Sequence, residues 1–279
     1  FGSIRGALHF KSLCNKALQQ YQKITKKMYN SHNNHREQTL MKRLLLVTAI
    51  SFSSLTYADS GFYTSLKAGI SDTKFEDYKL TLAQGDESII FKHKDADESI
   101  YPNISAAIGF DFSKVSKVNA RAELEYTYKD KATFAPNISS GIFNGNEEQA
   151  PPNIPSYVVN ELRTQSLMLN GYYDFKNTTK FTPYLSAGLG VSRIENDIST
   201  NPEMFNSSEH ISTDTNNNFA WTAGAGVAYQ VTKDVALDLA YRYVDAGEIE
   251  TSLSFDGANF KNTADLISHD YSLGIRYNF

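Results

Sequence analysis

The chain has 279 residues, 41% of them hydrophobic and 21% charged, with a formal net charge of −4 and one cysteine, Cys14. A lone cysteine excludes an internal disulfide framework. No apolar run reaches the ~20 residues that a membrane-spanning helix needs.

Residues 1–40 hold seven Lys or Arg and one acid, Glu37, and differ in character from the rest of the chain. Met41-Lys42-Arg43 begins a basic segment, Leu44 to Leu55 is apolar, and Thr56-Tyr57-Ala58 supplies small residues for cleavage. That order is the signature of a signal peptide over 41–58. Residues 1–40 then read as an upstream extension outside the natural mature protein, and 59–279 as one domain. Removing the nine bases and one acid of residues 1–58 from totals of 27 and 31 leaves 18 against 30, a net −12. Such a balance argues against nucleic acid as a partner.

Eight segments of the remainder alternate with a period of two, the spacing of a strand with unlike faces. In 62–71, Phe62, Leu66 and Ile70 oppose Tyr63, Ser65 and Lys67; near 103–112, Ile104, Ile108 and Phe110 oppose Ser105, Gly109 and Asp111. The cleanest is 118–128, where Ala122, Leu124, Tyr126 and Tyr128 oppose Arg121, Glu123, Glu125 and Thr127. Segments 162–175, 182–193, 218–231 and 235–244 come next, and the eighth runs from Ile267 to Phe279. Connections near 113–117, 176–180 and 232–234 are short; those near 76–98, 129–161, 195–217 and 245–265 are long and polar. Short turns at one end and long loops at the other define an up-and-down barrel of the outer-membrane type, with the short turns periplasmic. The last strand closes against Phe62–Ser71 and leaves no edge unpaired.

A soluble barrel would put charge outside. Here the charged face carries small residues suited to a narrow lumen, and the apolar face ends in rings such as Phe62, Phe112, Tyr128, Trp221, Tyr243 and Tyr277, which suit interfacial girdles. The expected lumen network is Lys67, Asp111, Arg121, Glu123, Glu125, Asp174, Asp238, Arg242, Asp270 and Arg276. In an eight-stranded barrel, side chains fill the interior, so paired charges forming a plug are favoured over a water-filled pore.

The four long loops hold 21 acids against six bases, a net −15. Apolar residues within them, Phe91, Phe134, Phe143, Phe205 and Phe260, are candidate contacts for a ligand. A catalytic reading has little to stand on: His93, His210 and His269 are the only histidines after residue 58. Neighbouring serines and acids are too abundant to mark a triad. The GxG strings at 187–190 and 223–226 lie inside strands and are no phosphate loops. No catalytic, cofactor or metal site is expected.

The stretches YYDFKNTTKFTPYLSAGLGVSR (172–193), GAGVAYQVTKDVALDLAYRYVDAGEIE (224–250) and YSLGIRYNF (271–279) resemble the opacity (Opa) proteins and the wider group of eight-stranded surface antigens of Gram-negative bacteria. The match covers the second half of the chain well and the first half by pattern. It implies insertion into outer-membrane lipid through the barrel assembly machinery, with Phe279 as the assembly signal. It also implies surface exposure and adhesion to a host-cell protein receptor through the long loops. Some opacity proteins bind sulfated glycans through basic loops; loops at −15 would repel a polyanion.

The sequence therefore leads to an all-β, eight-stranded antiparallel transmembrane barrel with four long extracellular loops, expected as a monomer and acting as surface antigen or adhesin. A small pore or purely structural barrel is the alternative, and a barrel-embedded enzyme the third.

Overall fold

The computed structural model describes residues 61–279 apart from 85–86, 94–97, 136–137, 144–145, 155–157, 203–206 and 256–257. The readings of 1–40 and 41–58 fall outside the described residues. The described chain forms one antiparallel sheet of strands β1 (Phe62–Gln84), β2 (Glu87–His93), β3 (Glu98–Asp111), β4 (Ala120–Phe134), β5 (Ile138–Phe143), β6 (Asn146–Ile154), β7 (Val158–Asp174), β8 (Phe181–Thr200), β9 (His210–Gln230), β10 (Val235–Phe255) and β11 (Ala258–Asn278). Eight of them, β1, β3, β4, β7, β8, β9, β10 and β11, lie side by side, and β11 returns to β1. Closure runs from Tyr63↔Asn278 to Gln84↔Ala258, well beyond the segment that the alternation marks. Every strand of the wall is thus satisfied on both sides at membrane depth, which hydrocarbon demands.

The short turns are built locally. Asp111 accepts a bond from the Ser113 N–H at 2.9 Å and starts a 3-10 turn over Phe112–Lys114. Asn177 Oδ1 accepts from Thr179 N–H at 2.8 Å in the second, and Thr232 Oγ1 from Val235 N–H at 3.1 Å in the third.

The long connections are largely strand, which corrects the expectation of extended polar loops. β1 continues to Gln84 and pairs there with β2; β2 pairs with β5, and β5 with β6. β8 runs to Thr200, and β10 pairs with β11 as far as Phe255↔Ala258. The barrel wall therefore rises past the membrane, and above it the two faces exchange polarity. On β1 the outward residues change from Leu66 and Ile70 to Lys74 and Glu76, while the inward ones change from Ser65, Lys67 and Ser71 to Phe75 and Tyr78. On β8, outward Leu189 and Val191 give way to Arg193 and Glu195 as inward Ser192 gives way to Ile194. Below this level the outer face meets lipid and the inner face satisfies charge; above it water lies outside and the interior holds an apolar core, with Asn160, Asn196 and Asn262 buried beside it and bonded to one another. Phe75, Tyr78, Phe134, Leu162, Ile194, Ile249 and Leu266 form that core. Phe75 stacks on Phe134 with ring centroids 4.0 Å apart.

Register shifts fall at Glu76/Lys79 on β1, Lys129/Ala132 on β4 and Asp245/Glu248 on β10, all close to the level of inversion. A bulge adds a residue and bends the strand. On β4 it places Asp130 and Lys131 both outward and returns Ala132 and Phe134 to the interior.

Candidate functional site

Two regions could carry function, the charged interior and the wall outside the membrane. In the interior, Glu125 is the hub and is fully buried. Its carboxylate accepts from Lys67 at 2.7 Å, from both terminal nitrogens of Arg242 at 2.9 and 3.0 Å, and from Asn170 and Thr127 at 3.1 Å each. Lys67 also donates to Glu123 at 2.5 Å, and Glu123 accepts from the Tyr172 hydroxyl at 3.0 Å. Arg121 holds Asp174 through two parallel bonds of 2.8 and 2.9 Å, with its guanidinium 4.4 Å from the Tyr172 ring centroid. Arg276 lies 3.7 Å from Asp238, too long for a hydrogen bond, and its guanidinium stands 5.5 Å from the Tyr63 ring centroid. Tyr184 also fills the lumen, and Gly226 makes room for it: a Cβ there would lie 2.4 Å from Tyr184 Cζ.

Two residues change the expected set. Asp111 stands outside the network; it caps the turn at the periplasmic end, 4.0 Å from Lys176 Nζ. Lys129, counted with the loops on sequence, is buried and bonds Asp270 at 2.8 Å and Ser268 at 2.6 Å. The alternation of Arg121, Glu123, Glu125 and Thr127 extended by one step would have assigned it to this face. With that exchange Lys67, Arg121, Lys129, Arg242 and Arg276 face Glu123, Glu125, Asp174, Asp238 and Asp270, five charges of each sign. A neutral, mutually bonded interior can stay buried where an unpaired charge could not.

The lipid-facing surface ends in rings. Phe62 packs edge-on against Phe110, and Tyr277 against Phe279. The Phe279 N–H donates to the Phe62 carbonyl at 3.0 Å, so the terminal residue is tied into the barrel seam. At the opposite rim Trp221 Nε1 donates to Asp245 Oδ2 at 3.1 Å, and Tyr241 Oη is bonded to His269 Nδ1 at 2.8 Å.

This outward apolar belt, inward neutral network and eight-stave closure belong to a membrane barrel, and the sequence comparison agrees. A model of the outer membrane protein beta-barrel domain matches residues 43–279. The chain belongs to that family. Within the outer-membrane β-barrel family, PagN of Salmonella typhimurium is 32% identical over 242 residues, covering 84% of this chain and 97% of that protein. A Rickettsia conorii protein named as a candidate adhesin, RC1281, is 25% identical over 263 residues, covering 85% of this chain and all of that one. Opacity protein V28 of Neisseria gonorrhoeae is 28% identical over 133 residues, 41% of this chain and 52% of its own length. Family membership puts the barrel in the Gram-negative outer membrane, with the short turns periplasmic and the tall wall extracellular.

On that wall four of the described bases are tied to acids across strands. Lys74 pairs with Glu98, Lys131 with Glu161 at 2.6 Å, Arg163 with Glu195 at 3.0 Å, and Lys261 with Glu250 at 2.9 Å. The hydrogen bond from Lys261 holds the Glu250 carboxyl below its ordinary range. Outward Glu76, Asp130, Asp197, Asp245 and Glu248 add to the acid excess. Of the apolar loop candidates, Phe134 is corrected: it is fully buried in the outer core and offers nothing to a ligand, because the β4 bulge turns it inward. Phe91, Phe143 and Phe260 lie on β2, β5 and β11, with side chains outside the described set, as is Phe205 altogether. The His93 side chain is likewise outside the described residues, and among these no cluster of His, Cys, Asp or Glu suits a metal ion.

Proposed function

We propose that this protein is a surface adhesin whose tall, acidic extracellular wall engages a host-cell protein receptor. One observation carries the reading: the interior is filled by neutral pairing, an apolar core and buried asparagines, whereas among the described residues the outer wall carries more acids than bases. A filled lumen leaves the exterior as the place for recognition, and an acidic field steers cationic partners. The candidate-adhesin name of RC1281, matched over its whole length, supports the same role. Phe279, tied to the first strand, suits recognition by the barrel assembly machinery.

The test is attachment of bacteria displaying the protein to cultured host cells, against a variant whose wall is cut back to the membrane rim on all four hairpins. Trimming should reduce attachment to that of bacteria lacking the protein. Unchanged attachment would refute the adhesin role. A steady single-channel conductance in planar bilayers would instead favour a pore.

A further inference from the structure

β9 and β10 part company at the outer rim. Their pairing runs from Gln230↔Ala236 to Trp221↔Asp245 and ends there, although β9 begins at His210 and β10 continues to Phe255. On its other side β10 stays paired with β11 to Phe255↔Ala258. The wall therefore has a seam directly above the membrane, bordered by one edge of β10.

Side chains, not backbone, cross that seam. Asn218 Nδ2 donates to the Glu248 carbonyl at 2.6 Å, and Asn216 Oδ1 accepts from the Glu250 N–H at 3.3 Å. Each amide copies one half of a peptide group. Gly247 permits this approach: its φ is +85°, and a Cβ there would lie 2.7 Å from Asn218 Cβ. Backbone groups of alternate residues point to the same edge of a strand, so those of Ser252 follow Glu248 and Glu250 toward the seam. The cleft is lined by Asn216, Asn218, Glu248, Glu250 and Ser252, and of these Glu250 already holds Lys261 at 2.9 Å.

We propose that this seam is a docking site for an extended, basic peptide segment of a partner protein, which adds as a strand along β10 from Glu248 to Ser252. A strand edge with no neighbouring strand is a template for such addition, the guest's main chain displacing the Asn218 and Asn216 amides from Glu248 and Glu250. Charge chooses the guest. Glu248 and Glu250 project outward from the edge, with Asp245 at its base, so a lysine or arginine of the guest meets Glu248 directly and at Glu250 takes the place of Lys261. The site gives a chemical class to the receptor of the adhesin reading and rests on it for the source of the partner.

The experiment uses the full chain refolded in lipid nanodiscs and a fluorescent, end-capped octapeptide alternating lysine with threonine. Anisotropy should report saturable binding. Methylating alternate backbone nitrogens of the peptide should weaken it at least tenfold, and a glutamate–threonine octapeptide should fail to bind. Ser252→Pro, which removes one N–H on the seam side and spares the β10–β11 ladder, should also weaken it at least tenfold with Trp221 emission unchanged. Equal binding of the methylated and unmethylated lysine peptides would overturn the proposal, reducing the contact to charge alone. So would amide exchange at Ser252 in the free protein as slow as at Leu239, because the edge would then already be filled. Host-cell attachment of bacteria carrying Ser252→Pro separates the two readings: peptide binding lost with attachment retained leaves the adhesin role standing on another surface.

Discussion

Replacing Glu125 by Gln tests whether charge balance holds the interior together. The substitution keeps the side-chain shape, removes one negative charge and presents an NH2 group to donors. Lys67 retains Glu123 at 2.5 Å, but Arg242 loses both of its close carboxylate contacts, at 2.9 and 3.0 Å. The interior passes from five charges of each sign to an excess of one positive charge. Removing one partner of a buried pair costs ~3–5 kcal/mol because the survivor is left uncompensated. Arg242→Gln should cost less, because Lys67 still faces Glu125 at 2.7 Å. The double variant Glu125→Gln/Arg242→Gln restores neutrality and should lose less than the sum of the two, a coupling of roughly 0.5–3 kcal/mol. Urea unfolding in lipid vesicles, followed by the emission of the single tryptophan, Trp221, measures all three. A Glu125→Gln loss below ~1 kcal/mol, the size of an ordinary point substitution, or strict additivity in the double variant, would refute the reasoning.

The other expectations concern the two faces and the outer wall. Leu273→Arg, on the lipid face of β11, should destabilise by ~2–4 kcal/mol if near the bilayer midplane. The same assay measures it, and no loss would place that face away from hydrocarbon. Phe134→Ala should cost ~3–5 kcal/mol through the cavity left beside Phe75, and a neutral result would contradict the apolar outer core. Burial raises the Asp214 carboxyl above its ordinary range, with the nearby Thr251 hydroxyl opposing the shift. An acid whose folded pKa is raised binds more protons folded than unfolded, so stability falls as pH rises through its titration. Asp214→Asn should therefore raise the urea midpoint at pH 7, and the gain should vanish once the pH falls below the ordinary carboxylate range. A gain persisting at low pH would assign the effect to something other than ionisation.

The membrane half of each strand was legible because one physical rule governs it. Period two and a lipid-facing apolar side mark 62–71, 118–128 and 235–244, and the register follows that pattern, with Leu66 opposite Ile275 and Leu239 opposite Leu273. Above the rim the same strands were hidden. The bulges at Glu76/Lys79, Lys129/Ala132 and Asp245/Glu248 slip the period by a residue. On β8, which continues with regular pairing, alternation persists in Ile194, Glu195, Asn196, Asp197 and Ile198, but the apolar residues have moved to the inside. A pattern anchored on outward apolar residues reads that exchange as the end of the strand. Phe134 was misplaced for this reason, and Lys129 because a lysine at the edge of a polar stretch passes for a solvated one.

The exchange of polarity also bears on where recognition can occur. If the lumen stayed polar throughout, water and small solutes would have a continuous path and the interior could itself be a binding site. Instead the ionic layer around Glu125 is covered on its outer side by Phe75, Tyr78, Phe134 and Leu162. A ligand entering from outside would have to displace that packed core before reaching a carboxylate already holding several hydrogen bonds. Binding on the outer wall carries neither cost. The acid excess lies there, and above the Trp221–Asp245 rung part of the β10 edge is met by asparagine side chains in place of a neighbouring strand. A partner offering backbone hydrogen bonds together with positive charge would be matched there on both counts.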